Sequence, residues 1–182
     1  MVTAGACTFC GENRSIYFRR YSGERLCARC FCSSMVDRVR RTISKYDLLK
    51  YDDRILVAVS GGKDSLSLLK ILHLIERDFP HARLYAVTID EGIEGYRSEA
   101  IKIAESFSSS LGVPFASFSF KELFGFDLSE AVESGAAERV GVQPCTICGV
   151  LRRKALVIAA RRLGATVIAT AHTLDDVVQT YL

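Results

Sequence analysis

The sequence has no run of about 18 apolar residues, the least a helix needs to cross a bilayer, so no membrane span is expected. Its opening residues, MVTAGACTFCGENR, lack the apolar stretch of a secretion signal. It has neither an internal repeat nor a low-complexity linker, which leaves no solenoid or flexible tether to argue for. A large net charge is missing too: 24 Lys and Arg stand against 21 Asp and Glu, a balance of +3. Nor do the cysteines suit a disulfide framework. They are odd in number, seven, and six of them fall in CxxC pairs, the spacing of metal sites in a reducing compartment. The cytoplasm is therefore the expected address.

What is present is a 182-residue soluble composition, 49% hydrophobic and 25% charged, enough for one ordinary domain and a small extra module. The modest charge is unevenly spread. Residues 1–54 hold eleven basic against six acidic side chains (+5), and residues 55–182 hold thirteen against fifteen (−2). A basic head on a near-neutral body points to a polyanion, with nucleic acid the first candidate, or to a solubilising face.

Residues 1–32 read as a metal-nucleated pair of knuckles, with a strand over Ser15–Tyr21 entering the turn SGER. Residues 33–53 read as a linker helix, with Val36, Val39 and Ile43 at helical spacing. From Arg54 strands and helices alternate. RILVAV, RLYAVTI, PFASFSF and TVIATA are strands. Helices are expected over Leu66–Phe79, Tyr96–Leu111 and Leu128–Glu138, from Cys145 toward Leu163, and from about Thr173. This pattern predicts an α/β fold, a mostly parallel sheet covered by helices, and continuous apolar strands are expected where both faces are buried. The chain stops at DDVVQTYL inside a helix, so residues 54–182 are expected to be an incomplete domain.

Four segments carry chemistry. SGGKDS, Ser60–Ser65, joins the first strand to its helix. Two glycines there allow a tight turn with N–H groups aimed at an anion, the helix dipole favours negative charge, and Ser60, Lys63 and Ser65 add donors. It is not the Walker A pattern, because Lys63 is followed by Asp64. Asp64 is either a metal contact or a helix cap. TAHTLDDVVQT, Thr170–Thr180, likewise follows a strand and opens a helix, with Thr173, Asp175 and Asp176 in the first turn, where capping and the helix dipole favour them. Cys7, Cys10, Cys27 and Cys30, two CxxC pairs sixteen residues apart, match tetrahedral Zn2+. Cys32 is then a spare, expected as a small core residue. The third pair, Cys145 and Cys148, cannot close a metal site alone; by spacing it is a redox dithiol, part of an iron–sulfur site, or two unrelated cysteines.

AVSGGKDS resembles the PP-loop of ATP pyrophosphatases, which cleave ATP between the α and β phosphates to form adenylates. AHTLDD is similar to the (G/A)HxxDD box of PP-loop tRNA-thiolating enzymes, and PCTICGVLRR resembles their CxxCGxxRR segment. The zinc module, SGGKDS, CxxC and HxxDD box occur here in the order found in tRNA 2-thiouridine synthetases of the TtuA and cytoplasmic wobble-thiolation type, across nearly the whole chain. The resemblance implies a HUP-type, Rossmann-like PP-loop domain with a zinc-ribbon-like N-terminal module. It implies ATP with Mg2+ bound at Ala58, Ser60, Gly61, Gly62, Lys63, Asp64, Ser65, Ile89, Ala171 and Asp176, TIDEGI (Thr88–Ile93) bordering the adenine. It further implies a [4Fe–4S] cluster on Cys145, Cys148 and a third ligand beyond residue 182, with sulfur replacing the uridine C2 oxygen once that oxygen is adenylated. Arg152 and Arg153 would stabilise the adenylate or hold tRNA phosphate, with a solvated helix face as their plainer role. His172 reads as structural. Arg19, Arg20, Arg38, Arg40 and Arg41 would grip tRNA. A ubiquitin-like thiocarboxylate carrier and a homodimer are expected by the same resemblance. Lysidine, NAD and cytidine-thiolating PP-loop enzymes remain as alternatives, as does a non-catalytic or redox-sensing zinc-ribbon protein that binds nucleic acid.

Overall fold

The computed structural model describes residues 5–93, 97–135, 138–139 and 141–181. The chain forms two compact units, Met1–Leu49 and Lys50–Leu182.

The first unit is a two-stranded antiparallel ribbon followed by one long helix. β1 (Tyr17–Arg19) and β2 (Glu24–Leu26) pair with Tyr17 opposite Leu26. The strand expected to reach Tyr21 ends at Arg19, because the Arg19 carbonyl accepts from the Ser22 and Gly23 amides and Gly23 takes φ +72°. α1 (Ala28–Tyr46) begins five residues before the expected Ser33, since Cys27 caps it: the Cys27 Sγ accepts from the Cys30 amide at 3.5 Å. Val36 and Val39 are half-buried and Ile43 buried, as their spacing predicts. Two expectations are corrected here. Cys32 is exposed, because α1 turns Cys30 and Phe31 toward Cys7, Leu26 and Cys27 and carries position 32 away from them. Arg19 is buried and bound to Glu24 Oε2 (2.6 Å) and Ser34 Oγ (2.8 Å), so its charge is spent inside the unit.

The second unit alternates strand and helix: β3 (Arg54–Ala58), α2 (Lys63–Glu76), β4 (Arg83–Asp90), α3 (Arg97–Ser110), β5 (Phe115–Ser119), α4 (Phe120–Phe124), α5 (Leu128–Glu133), α6 (Pro144–Leu163), β6 (Val167–Ala169) and α7 (Leu174–Tyr181). The sheet order is β5-β4-β3-β6, every neighbouring pair parallel. The order reverses between β3 and β6, and the carboxyl ends of strands flanking such a switch point form the crevice where ligands bind in open α/β sheets. Both SGGKDS, after β3, and TAHT, after β6, sit there.

The sheet is buried because its strands are apolar on both faces. Leu56, Val87 and Ile89 pack on Ala155, Leu156, Ala159 and Ala160 of α6, with Phe120 closing the same cluster. The alternate residues Ile55, Val57, Leu84 and Ala86 are buried as well, and α2 and α3 pack on these strands through Leu69, Leu72 and Ala104. Full burial of one such leucine contributes about 2–3 kcal/mol.

Several boundaries differ from the sequence-based expectation, each for a local reason. α2 begins at Lys63 rather than Leu66, so only Ser60–Gly62 of the glycine segment is loop. Phe120 leaves the strand for α4 because Ser119 caps that helix, its hydroxyl accepting from the Glu122 amide at 3.0 Å. α5 stops at Glu133, where Ser134 and Gly135 (φ +68°) turn the chain. The expected continuation through Ala136 and Ala137 lies outside the described residues, as does Tyr96 ahead of α3. α6 starts at Pro144, a residue suited to the first helical position because it has no amide to leave unpaired. Cys145 and Cys148 therefore both stand in its first turns.

Candidate nucleotide and metal sites

In the first unit the sulfur atoms of Cys7, Cys10, Cys27 and Cys30 all lie within 4.8 Å of one another. A tetrahedron with metal–sulfur bonds of about 2.3 Å has edges of about 3.8 Å, and the Cys10 and Cys27 sulfurs are 3.9 Å apart. The donor set fits a Zn2+ ion. The thiols are unequal. Amides of Asn13 and then Glu12 hold Cys10 down to about 6, while burial, followed by hydrogen bonds with Cys27, pushes Cys30 up to about 12. Metal binding thus starts from a ready thiolate and must displace a proton held tightly elsewhere. Buried Cys7 and Cys27, with Leu26, are also the core of this small unit.

In the second unit a cavity of about 240 Å³ opens at the switch point. Its walls include Ala58, Ser60, Gly62, Asp64 and Ser65 from the glycine segment, Ile89 from β4, and Ala171 and His172 after β6. The loop is set by its own side chains. Ser65 Oγ accepts from the Ser60 amide (3.1 Å), donates to the Gly62 carbonyl (2.9 Å) and lies 3.2 Å from Ser60 Oγ. Gly61 takes φ +81°, and a Cβ there would stand 2.5 Å from the Ala100 carbonyl oxygen of α3. Only glycine fits. Gly62 is the N-cap of α2 and makes no side-chain cap bond, so the first-turn amides are left for an anion. That finding speaks against Asp64 as the cap; Asp64 lines the cavity and pairs with Lys63 Nζ at 2.8 Å. Lys63 and Gly61 are not part of the cavity wall.

Asp176 does not line the cavity either. It closes the first turn of α7: its Oδ2 accepts from the Thr173 amide (2.6 Å) and hydroxyl (2.7 Å), and its own amide donates to Thr173 Oγ1. Those donations, the amide first, hold its carboxyl below the usual carboxylate range. His172, given only a structural part by the sequence, does line the cavity, its Nδ1 2.9 Å from Thr170 Oγ1.

The cysteine pair of α6 is tied to this cavity through one side chain. Arg152, four residues after Cys148, lines the cavity, and its Nη2 lies 3.6 Å from Cys148 Sγ. Burial pushes the Cys148 thiol above its ordinary value, and the Arg152 guanidinium pulls it partly back. Cys145 is exposed. The two thiols, one turn apart, fit part of an iron–sulfur ligand set, whose remaining ligands lie outside this pair. Sequence reasoning missed Glu91, which is buried at the end of β4 and binds Arg152 Nε at 2.7 Å, and it missed Arg97, which binds the same carboxylate and also lines the cavity. An acid placed just past an apolar strand, at its carboxyl end, was the available signal.

Residues 33–182 match the PP-loop domain family, and the chain belongs to that family. Among its relatives, the cytoplasmic tRNA 2-thiolation protein 1 of Chlamydomonas reinhardtii is 36% identical over 178 residues, 97% of this chain and 48% of the relative. A probable sulfurtransferase of Methanocaldococcus jannaschii is 33% identical over 174 residues, 95% of this chain and 50% of the relative. The chain spans about half the length of these curated relatives. Of solved structures, the U34-tRNA thiolase NcsA of Methanococcus maripaludis with its [4Fe–4S] cluster superposes with a TM-score of 0.83 at 35% identity, covering 99% of this chain and 57% of that one.

Two outcomes follow from the geometry. Cys27→Ala removes a thiol of the four-sulfur site and the α1 cap together, so bound zinc measured by atomic emission falls to background and residues 5–49 become protease-sensitive; zinc at the wild-type level contradicts the four-thiol site. Gly61→Ala forces strain and a clash with α3, and lowers ATP affinity at least about tenfold in calorimetric titration; unchanged affinity removes the loop from the binding site.

Proposed function

We propose that this chain carries the ATP-binding and sulfur-handling part of a tRNA 2-thiouridine synthetase. The observation that carries the reading is Arg152, which lines the cavity over the glycine loop and reaches the Cys148 thiol. A nucleotide seat and a thiol pair joined by one guanidinium suit a reaction in which an activated group meets sulfur. The activities named for the M. maripaludis and C. reinhardtii proteins support a tRNA uridine as the substrate.

ATP sets its phosphates on the amides that open α2, with the Ser60 and Ser65 hydroxyls as further donors and Lys63 turning from Asp64 to the β and γ phosphates. Asp64 would hold the Mg2+ that travels with the nucleotide, and Asp176, bonded back to Thr173 across the first turn of α7, is the second acid assigned to the metal or the nucleotide. Ala58, Ile89 and Ala171 bound the adenosine. The uridine C2 oxygen bonds to the α phosphorus as the bridge to the β phosphate breaks, and pyrophosphate leaves with that electron pair. C2 then carries a phosphate in place of a carbonyl oxygen, a good leaving group where there was a poor one. A [4Fe–4S] cluster held by Cys145, Cys148 and a third ligand would supply sulfur at the sulfide level to this carbon. Arg152 stabilises the negative charge that gathers on the phosphate as the C2–O bond breaks and AMP departs with the former uridine oxygen. Arginine does not shed a proton near neutrality, so its part is electrostatic.

Around this centre, residues 1–32 serve as a zinc module, 33–53 as the linker and 54–182 as part of the PP-loop domain. The exposed Arg20, Arg38, Arg40 and Arg41 meet tRNA phosphates. Sulfur comes from a ubiquitin-like carrier ending in a thiocarboxylate, and the complete protein works as a homodimer in the cytoplasm, an address consistent with the names of its relatives. No described helix is long and apolar enough to cross a membrane.

In the complete protein, Cys148→Ser abolishes 2-thiouridine formation, read by mass spectrometry of digested tRNA, while the ATP dissociation constant stays within about twofold. Thiolation at the wild-type rate removes the thiol pair from the reaction.

A further inference from the structure

Glu91 is the most deeply buried charged side chain among the described residues, 1% exposed, and the reaction outlined above makes no use of it. A buried carboxylate is costly unless its charge is met by well-placed donors. Here it is met twice. Arg97 Nε lies 2.6 Å from Glu91 Oε2 and Arg97 Nη2 lies 3.1 Å from Oε1, while Arg152 Nε lies 2.7 Å from Oε1. Arg97 also donates to the Ile89 carbonyl, from Nη2 at 2.6 Å and from Nε at 3.2 Å. One carboxylate thus binds two guanidiniums, an arrangement that their mutual repulsion opposes and the shared negative charge offsets.

The carboxylate is itself fixed from behind. The Glu91 carbonyl accepts from the Leu128 amide at 2.8 Å, at the start of α5. The next residue, Gly92, has φ +79°, and a Cβ there would stand 2.4 Å from the Asp127 Cβ. Asp127 is locked in turn by a reciprocal capping box with Glu130. β4, α5, α3 and α6 therefore converge on one buried charge. Two positive charges against one negative leave an excess of one in this cluster, and both arginines line the cavity that the glycine loop lines. They differ in freedom: the Arg97 side chain is 12% exposed and the Arg152 side chain 48%.

We propose that Glu91 is a positioning residue which holds Arg97 and Arg152 as a two-guanidinium seat for a nucleotide phosphate. Paired N–H donors in a fixed fork suit phosphate oxygens. The seat adds donors that the glycine loop does not supply, and it sets the reach of Arg152 toward Cys148. The proposal rests on the reading that this cavity takes ATP.

Removing the carboxylate separates positioning from simple charge by sign. Glu91→Gln makes the cavity more positive, so a purely Coulombic role predicts tighter binding of an anion. A positioning role predicts weaker binding, because the two guanidiniums lose their shared anchor. The experiment is calorimetric titration of AMP and ATP into the wild-type chain, Glu91→Gln, Glu91→Asp, Arg152→Gln and the double variant Glu91→Gln with Arg152→Gln, each checked for folding by thermal melting. Glu91→Asp keeps the charge but is one methylene short of both partners, and carries the test should Glu91→Gln fail to fold. The expected result is about tenfold or greater weakening for Glu91→Gln and Glu91→Asp. In the Arg152→Gln background the further loss is markedly smaller, since the two residues act as a unit. Unchanged or tighter binding by a folded Glu91 variant overturns the proposal, and so do losses that simply multiply. A complete protein that shows the expected binding pattern yet never thiolates tRNA overturns the thiolation reading and leaves the seat standing. A wild-type chain that binds neither nucleotide overturns both.

Discussion

The close approach of the Gly61 backbone to α3 governs the second unit. With φ +81° and the Ala100 carbonyl oxygen 2.5 Å from where a Cβ would be, the chain can leave β3 only in one tight turn. That turn brings Gly62 to the N-cap of α2 with no side chain to satisfy the first amides. Ser60 and Ser65, hydrogen-bonded to each other and to the loop backbone, hold the turn open toward the cavity. Unpaired amides at a helix start attract an anion by geometry and by the helix dipole. The sheet order puts this turn beside the segment after β6, so the anion seat and the Ala171–His172 wall share one crevice.

The charged side chains around this crevice are paired. Lys63 is matched by Asp64 at the surface, and Arg97 and Arg152 are matched by the buried Glu91. The surface pair is wet and weakly held, which leaves Lys63 able to turn to a ligand. The second set is anchored on a buried carboxylate and is directional, which orients both guanidiniums before any ligand arrives, although the Arg152 side chain is half exposed. Arg152 then touches two chemistries at once, the cavity on one side and the Cys148 sulfur on the other. The small residues of α6, Ala155, Ala159 and Ala160, let that helix lie close on β3 and β4, and so bring its first turns to the cavity rim.

Much of this was legible in the residues. Apolar runs gave the strands, period-3.6 leucines gave α2, and two paired cysteine spacings gave the four thiols whose sulfurs converge in the structure. What escaped was decided by tertiary context. The start of α2 three residues early depends on the extended backbone of Gly62, and the start of α1 depends on a cysteine acting as a cap, which no propensity scale anticipates. The adjacent acids Asp175 and Asp176 invited a ligand role, whereas the Asp176 carboxylate accepts from Thr173 across the first turn of α7. Arg19 looked like one more surface cation in a basic head, yet its partners Glu24 and Ser34 bury it. Glu91 is the clearest case: the second of two adjacent acids in TIDEG carries no periodicity, and its importance comes from arginines six and sixty-one residues farther along the chain.

The two units answer different needs. The first is too small to be held by apolar burial alone, and its four sulfurs, Cys7 and Cys27 among them, replace the missing core. The second has a full sheet core and carries the cavity at its carboxyl edge. The central claim, that the nucleotide activates a uridine oxygen that sulfur then replaces, is tested most directly by isotope. With tRNA carrying oxygen-18 at uridine C2, ATP, a sulfur donor and the complete protein, the label should appear in the phosphate of AMP as 2-thiouridine forms. Label released to water, with AMP unlabelled, would contradict it.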